Sequence, residues 1–238
     1  MNLKERIKSL RIPRLLIEAV LVFGSVYFAL VLEADRTKDY EREKFIIELD
    51  QLRREMIADS VFYDAVFGDG EFSSRAKTEL FKVAVDSLAN LNYDFMRAGI
   101  YDFSDLHSGI STPIPESVSI IRNSYMDLID DHDRLRNFRE LFRVYDRLAE
   151  FDRLVVELEN DFWLNKATNY KITGDYYRGP ELELFLHSQE LRRYAHKMYW
   201  YITNYNTFGG IILHNFKNND QLISAEIKHQ QQAMKGIF

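Results

Sequence analysis

Residues 15–32, with the sequence LLIEAVLVFGSVYFALVL, contain one charged side chain, that of Glu18. At ~1.5 Å of rise per residue, a helix of this length spans about 27 Å, close to the ~30 Å hydrocarbon core of a bilayer. No other stretch of the chain has a similar apolar content. The segment therefore predicts a single transmembrane helix, with the lipid bilayer as its partner.

An apolar segment of this kind has two alternative interpretations. A signal peptide follows a basic stretch too, but its apolar region has only ~7–15 residues and ends at a small-x-small cleavage site. Here Leu32 lies two positions before Ala34, which fits such a site poorly. A buried core helix is the other alternative, although such helices are usually shorter and interrupted by polar residues.

Basic residues on both sides of the segment indicate its orientation. Five Lys and Arg residues precede it, and four lie between its end and residue 50. The positive-inside rule therefore favours a cytoplasmic N-terminus by a small margin. We expect a basic cytoplasmic tail over residues 1–14, the membrane helix over residues 15–32 and an extracytoplasmic stalk and helical-bundle domain over residues 33–238.

The net charge argues against a nucleic-acid partner. The chain carries −6 in total, and because residues 1–34 carry +2, the remaining residues carry −8. Binding to phosphates needs clustered Lys and Arg, which an acidic domain does not supply. Cysteine is absent, so the chain forms no disulfide and offers no thiol nucleophile.

Helical patterns dominate the rest of the chain. No Gly or Pro interrupts residues 33–67, where Phe45, Leu49, Leu52 and Met56 recur at the spacing of one helix face. This pattern predicts a stalk helix that continues from the membrane segment and ends at the turn Gly68–Asp69–Gly70. Alternating strand patterns are nearly absent. The fold class is therefore all-α, with the membrane helix, the stalk and a bundle of four to six helices.

Start and stop signals place the later helices. Ser73 or Ser74 caps one helix, Pro115–Glu116 opens another, and residues 134–165 show the longest apolar repeat, typical of a bundle or coiled-coil helix. A further helix is expected from Gly179–Pro180–Glu181 to Phe208. Gly209–Gly210 is expected to kink or end it, and residues 218–221, NNDQ, to cap a last helix.

One face of the predicted membrane helix could contact another helix. Glu18, Val22, Ser25 and Ala29 share this face, and Ser25-x-x-x-Ala29 is a small-xxx-small pair that lets two helices approach closely. Glu18 would then bond across the contact, because a carboxylate within a membrane span is costly. The alternative is that Glu18, near the start of the span, reaches the lipid headgroups.

Sequence signals for chemistry are weak. The chain has no P-loop, no G-x-G-x-x-G and no G-x-S-x-G motif. Two clusters of acidic residues and histidine match no metal-binding pattern. One contains Asp102, Asp105 and His107, and the other is residues 130–133, DDHD. Both are more typical of solvated helix ends. No catalytic residue, cofactor site or metal site is therefore predicted, which leans against an enzyme without excluding one.

Aromatic residues crowd one region near the C-terminal side. Tyr199, Trp200, Tyr201 and Tyr205 lie close together in the sequence. At helical spacing such residues usually form a core face. The functional alternative is a patch that binds a protein partner, since Tyr and Trp are enriched at interface hot spots.

Several of these features resemble a bacterial family of uncharacterised proteins with one N-terminal membrane helix and a helical extracytoplasmic domain. The resemblance lies in Arg14, Glu18, Ala29–Leu30 and the charged residues 35–44, and in residues 219–223, NDQLI, with Glu226–Ile227. It implies the bacterial inner membrane as location and a periplasmic C-terminal domain. It implies no activity for any residue. The sequence departs from the family directly after the span, where it reads EADR.

Taken together, these features predict a membrane-anchored protein that binds other proteins, as a scaffold or as an accessory subunit of a membrane complex. Its partners would be other proteins or further copies of the chain bound through the membrane helix. The alternatives are an extracytoplasmic sensor that works through a partner and an enzyme or effector with an unrecognised site.

Overall fold

The computed structural model describes residues 12–70, 73–90, 112–166 and 184–235, with all their side chains except those of residues 12–17 and 166. Every regular element within these ranges is helical, so the predicted all-α class is confirmed. The elements are α1 (Ile12–Phe67), α2 (Ser74–Ala89), α3 (Glu116–Ser124), a 3-10 turn (Met126–Leu128), α4 (His132–Asn160), a π-helical turn (Asp161–Lys166) and α5 (Gln189–Lys235).

The chain divides into two compact units. Unit 1 comprises Met1–Ile47 and Ile227–Phe238, and unit 2 comprises Glu48–Glu226. In unit 1 the described residues are the first part of α1 and the last part of α5, and Phe45 is fully buried there. Unit 2 contains the rest of α1 and α5 together with α2, α3 and α4.

Within unit 2, α5 lies antiparallel to α1. Near one end Arg53 Nε donates to Asp220 Oδ1 at 2.6 Å, and near the other the ring centroids of Phe67 and Tyr205 are 5.0 Å apart. The apolar face that the sequence predicts on this part of α1 is buried, at Leu49, Leu52 and Met56. As predicted, α1 ends directly before Gly68.

Helix α4 is likewise antiparallel to α5. Arg134 Nη1 lies 3.0 Å from Glu226 Oε2, and the ring of Phe162, just beyond α4, stacks on that of Tyr194 with centroids 3.9 Å apart. Residues 130–133 lie at a helix end, as predicted. Asp131 caps α4, since its Oδ1 accepts from the backbone N–H of Arg134 at 2.7 Å.

Helix α2 packs against the first half of α5. Its N-cap is Ser73, whose hydroxyl accepts from Ala76 N at 3.3 Å, so the predicted cap is confirmed. Asn206 of α5 donates to Thr78 Oγ1 at 2.7 Å. The apolar core at this end of unit 2 combines residues from α2, the end of α4, the π-helical turn, the residues just before α5 and α5 itself: Phe81, Ala84, Leu88, Val155, Phe162, Phe185, Leu186, Leu191, Tyr194, Ala195, Met198 and Ile202.

The predicted helix end at Gly209–Gly210 is wrong, because α5 continues through these residues. A Cβ atom on Gly209 would lie 2.2 Å from ring atoms of Phe67, whereas one on Gly210 would meet nothing within 4 Å. Gly209 therefore lets α5 approach the end of α1, which is a packing role inside a helix. This glycine costs α5 some helix propensity, and packing between the helices outweighs that cost.

The predicted cap at residues 218–221 is also wrong, because these residues lie in the interior of α5. Asp220 bonds to Arg53 of α1, and Ile223 is fully buried just beyond. Polar residues with a Gln at the third position can start a helix, but they also fit the exposed face of a helix already formed. The predicted start at Gly179–Pro180–Glu181 lies outside the described residues.

Candidate functional site

A groove of about 670 Å³ lies between α4 and α5 of unit 2. Its floor contains the buried side chains of Leu141 and Ile212. Val144, Phe208 and Ile211 form partly exposed apolar walls. The groove is therefore apolar and lies between two antiparallel helices. Another helix can pack into a surface of this kind.

The two rims of this groove differ in charge. All of its charged residues, Glu140, Arg143 and Arg147, belong to α4. The α5 rim instead carries three amides and no charge, at Asn215, Asn218 and Asn219. Within the described part of the chain, these three asparagine side chains form no hydrogen bond to another residue. Their donors and acceptors are therefore available to a partner.

Among the described residues, the charged rim of the groove is held by local ion pairs. Arg143 bonds to Glu140 one turn earlier, and Arg147 Nη1 lies 2.7 Å from Glu150 Oε2. Exposed pairs of this kind contribute about 0–1 kcal/mol, because water screens them and ordering the side chains costs entropy. The arginines can therefore exchange these partners for others at little cost.

An aromatic cluster continues the groove towards the start of α5. Phe208 lines the groove and stacks on Phe151, with ring centroids 5.7 Å apart. The Trp200 ring lies 5.5 Å from Phe151 and the side chain is 56% exposed. Of the predicted partner patch, Tyr199 and Tyr201 are half-buried and Tyr205 is buried and bonded to Thr112. Trp200 is thus the one residue of that patch with a largely exposed side chain.

A second notable surface is the apolar section of α1 in unit 1, which we define as residues 20–32. Its large hydrophobic side chains are exposed, with values from 37% at Val31 to 76% at Phe23. They include consecutive residues, so they occupy every side of the helix and not one face. In unit 2, by contrast, α1 buries an apolar face.

The predicted helix-contact face lies mostly within this apolar section. Glu18, Val22, Ser25 and Ala29 are all exposed, and Ser25 Oγ donates to the carbonyl oxygen of Val22 at 2.8 Å. Among the residues that the structure describes, no helix has both the length and the apolar content to cross a membrane. The first three residues of the predicted span, 15–17, have no described side chains.

Three tyrosines of unit 2 form a buried polar cluster. Tyr63 donates to the Pro113 carbonyl oxygen at 3.0 Å, and Tyr205 bonds to Thr112. Burial raises the pKa of Tyr63, Tyr145 and Tyr205, so all three phenols stay protonated at neutral pH. Tyr63 and Tyr205 therefore act as hydrogen-bonding groups that fix the segment before α3.

Two carboxylates next to this cluster are perturbed in the same direction. Burial raises the pKa of Asp59, and the nearby charge of Glu55 adds to the rise. Burial also raises the pKa of Asp152, while the backbone N–H of Thr112, 3.3 Å away, opposes that rise. Glu55 instead accepts from Ser117 Oγ at 2.9 Å. These contacts connect α1 to the first turn of α3 and α4 to the segment before α3.

Metal binding finds no support in the described ranges, where no three His, Asp or Glu side chains group closely enough to hold an ion. Asp131 caps α4, and Asp133 pairs with Arg136. Asp102, Asp105 and His107 lie outside the described residues. No catalytic, cofactor-binding or metal-binding residue was predicted, and the described geometry nominates none.

Comparison of the chain with family models, with curated proteins and with solved structures finds no match. The resemblance to a bacterial membrane-protein family stays a prediction.

The groove was not predicted from the sequence, because its lining comes from two helices that are distant in the chain. One signal was present in the sequence: Asn215, Asn218 and Asn219 lie at a spacing of three and four residues from the apolar residues Ile211, Ile212 and Leu222, on one face of α5.

Proposed function

We propose that the protein is a single-pass membrane protein whose helical domain binds other proteins, as a scaffold or as an accessory subunit of a membrane complex. The observation that carries this proposal is the apolar section of α1. Its side chains, residues 20–32, are exposed on all sides of the helix. A helix that is apolar all round is typical of a membrane span or of the core of a large protein.

Contact with water is energetically unfavourable for the side chains of the apolar section. Burial of a Val, Leu or Phe side chain is worth about 1.5–3 kcal/mol relative to leaving it in water. The apolar section contains eight such residues that are more than 50% exposed, among them Phe23 and Phe28, so their exposure to water would be costly. Contact with lipid removes this cost. The proposed span is residues 15–32, which begins before the first described side chain.

The proposed orientation places residues 1–14 in the cytoplasm and residues 33–238 in the periplasm of a bacterium, with the inner membrane between them. Its support is the excess of basic residues before the span. The acidic charge of the later residues supports protein partners over nucleic acid. The groove and Trp200 supply apolar surface that such a partner can cover.

Extraction of membranes tests the anchor. After washing at alkaline pH with carbonate, we expect the full chain to stay in the membrane fraction. The double variant Phe23→Asp, Val26→Asp should move to the soluble fraction, because a carboxylate in the hydrocarbon core costs about 2.5–3.5 kcal/mol on an insertion scale. The matched control is Ile57→Asp, Val61→Asp, which alters two exposed apolar residues of α1 in unit 2.

The control variant should remain in the membrane, like the unaltered chain. Release of the unaltered chain by carbonate would contradict the anchor. Retention of the Phe23→Asp, Val26→Asp variant would also contradict it. The protein-binding part of the proposal is tested by purification in mild detergent, in which a monomer without any partner would count against it.

A second candidate is a sensor domain that binds a small molecule and signals through a partner. The observation that favours it is the volume of the groove, about 670 Å³, which lies within the range of ~300–1,000 Å³ typical of ligand sites. Trp200 adjoins the groove through Phe151 and Phe208. Ligand binding would therefore change the fluorescence of the purified chain, which can be screened with small-molecule mixtures.

A further inference from the structure

The strongest feature of unit 2 that the proposed anchor does not use is the groove between α4 and α5. Its floor and walls are apolar, and its two rims carry different polar groups. The α4 side carries one carboxylate, two guanidinium groups and the amide of Asn137, and the α5 rim carries three amides and no charge. An occupant must cover the apolar floor and must supply groups that hydrogen-bond to both rims.

We propose that the groove binds the same groove of a second copy of this chain, so that the α4–α5 pairs of two copies form a four-helix bundle. The two copies would be related by a two-fold axis parallel to the helices. In that arrangement α4 of each copy lies beside α5 of the other. A two-fold interface uses the same patch on both partners, so this patch must be complementary to itself.

The groove meets that requirement through its unequal rims. The pairs Arg134–Glu226 and Phe151–Phe208 show which residues of α4 and α5 lie at one level. By the same alignment Val144 lies level with Asn215. Across the two-fold axis, the charged α4 rim of one copy therefore faces the amide rim of the other.

This pairing brings no like charges together. Glu140 of one copy lies near the level of Asn219 of the second, whose amide N–H donates to carboxylates. Arg143 lies near the level of Asn215, whose side-chain carbonyl accepts from guanidinium groups. At the centre, Val144 and Ile211 of both copies cover the exposed part of the apolar floor. If α4 instead packed in parallel against α4 of the second copy, each charged residue would face the same residue of that copy.

The size of the surface is also relevant. A standard interface involves about 20–30 residues on each side. The groove supplies thirteen residues and continues through Phe208 to the exposed Trp200, so it forms the centre of such an interface and not all of it. Both chains enter unit 2, at Glu48, from the same end of this dimer. The pairing itself does not depend on the membrane anchor.

Disulfide crosslinking tests this arrangement sharply, because the chain contains no cysteine of its own. Full-length Val144→Cys and Asn215→Cys copies with tags of different size are mixed in mild detergent and oxidised. We expect a covalent heterodimer of the two copies as the main product. A mixture of Val83→Cys and Asn215→Cys copies is the control, because Val83 is exposed on α2 and lies outside the groove.

The lack of a Val144–Asn215 heterodimer, or equal yields from the control mixture, would overturn the proposal. So would a product formed only between two Val144→Cys copies, which indicates α4 against α4. A second measurement does not depend on oxidation. By light scattering in detergent, the unaltered chain and Val83→Arg should be dimers, and Ile211→Arg should be a folded monomer.

If the unaltered chain is monomeric at micromolar concentration, the groove does not bind a second copy. That result would leave the anchor intact, because retention in carbonate-washed membranes does not depend on dimerisation. Conversely, a chain that dimerises through the groove but is released by carbonate would overturn the anchor alone.

Discussion

Helix α1 contains two regions that place their apolar side chains in opposite environments. In residues 20–32 large hydrophobic residues are exposed on every side, as at Leu30, which is 65% exposed. In the part that belongs to unit 2, apolar residues form one stripe that is buried, as at Leu52, which is 0% exposed. The second region is stabilised by packing within its own unit. The first region leaves its apolar side chains exposed, and in the proposed function lipid would cover them.

This difference shows what apolar content means in a helix. A stripe at a spacing of three and four residues predicts burial against other parts of the chain. Apolar residues on all sides predict burial in something larger, such as a bilayer. The same substitution should therefore change the stability of unit 2 by different amounts in the two regions.

The largest expected difference is between two Leu→Ala substitutions. Leu52→Ala should lower the free energy of unfolding of unit 2 by about 2–5 kcal/mol, because it leaves a cavity in a packed core. Leu30→Ala should change it by less than about 0.5 kcal/mol, as exposed positions do. Both tryptophans, Trp163 and Trp200, lie in unit 2, so denaturation followed by tryptophan fluorescence reports this unit. Equal losses of unfolding free energy in the two variants would contradict the difference between the two regions of α1.

Three Gly→Ala substitutions compare close packing with open space. Gly209→Ala should destabilise unit 2 by about 1–3 kcal/mol, because the new methyl group would overlap the Phe67 ring. Gly210→Ala should instead stabilise it by up to about 1 kcal/mol, since nothing lies near and alanine favours a helix. Gly24→Ala, in the apolar section, also meets nothing and should leave the unfolding of unit 2 unchanged. Thermal or chemical denaturation of the three variants measures this order.

Should Gly209→Ala be as stable as the unaltered chain, the close approach of α5 to Phe67 would be wrong. A partial rescue of Gly209→Ala by Phe67→Leu would support the contact, because the smaller side chain gives the methyl group more room. Phe67→Leu alone should be destabilising, since it removes part of a buried aromatic contact.

The smallest effect is expected at Asp59, a charged residue in the buried region of α1. Its pKa is raised in the folded state by burial and by Glu55, so its charged form opposes folding. That destabilisation is absent at pH values below the pKa of the unfolded chain and appears as the pH rises through the folded-state pKa. Asp59→Asn should therefore raise the melting temperature at pH 7.

The gain from Asp59→Asn should vanish in acid, where the aspartate is protonated in both states. Asp130→Asn is the control, because Asp130 is exposed and has no ion pair in the described part of the chain. An Asp59→Asn gain that is independent of pH would mean that the amide makes a new contact, and the electrostatic explanation would be wrong.

The sequence predicted those features that local chemistry determines. The lack of Gly and Pro between Glu33 and Phe67 predicted one uninterrupted helix, and the hydroxyl of Ser73 predicted a cap. The buried stripe on α1 followed from its spacing. These features depend on residues within a few positions of one another, so a single sequence contains the necessary information.

Features that depend on distant residues were not predictable in the same way. Gly209 was interpreted as a helix end, because its contact with Phe67 is not visible in the local sequence. Tyr205 was grouped with Trp200 as a partner patch, although it faces the opposite environment and bonds to Thr112. The groove needs both α4 and α5, so no stretch of either helix indicates it alone.

The most direct test of the account is the accessibility of single cysteines in membranes. Val26→Cys and Val61→Cys, which are both exposed on α1, are expressed in the full chain and treated with a water-soluble maleimide in open membrane fragments. If residues 15–32 span the membrane, Val61→Cys reacts in the membrane and Val26→Cys reacts only after denaturation in SDS. Equal reaction of both cysteines in native membranes would contradict it.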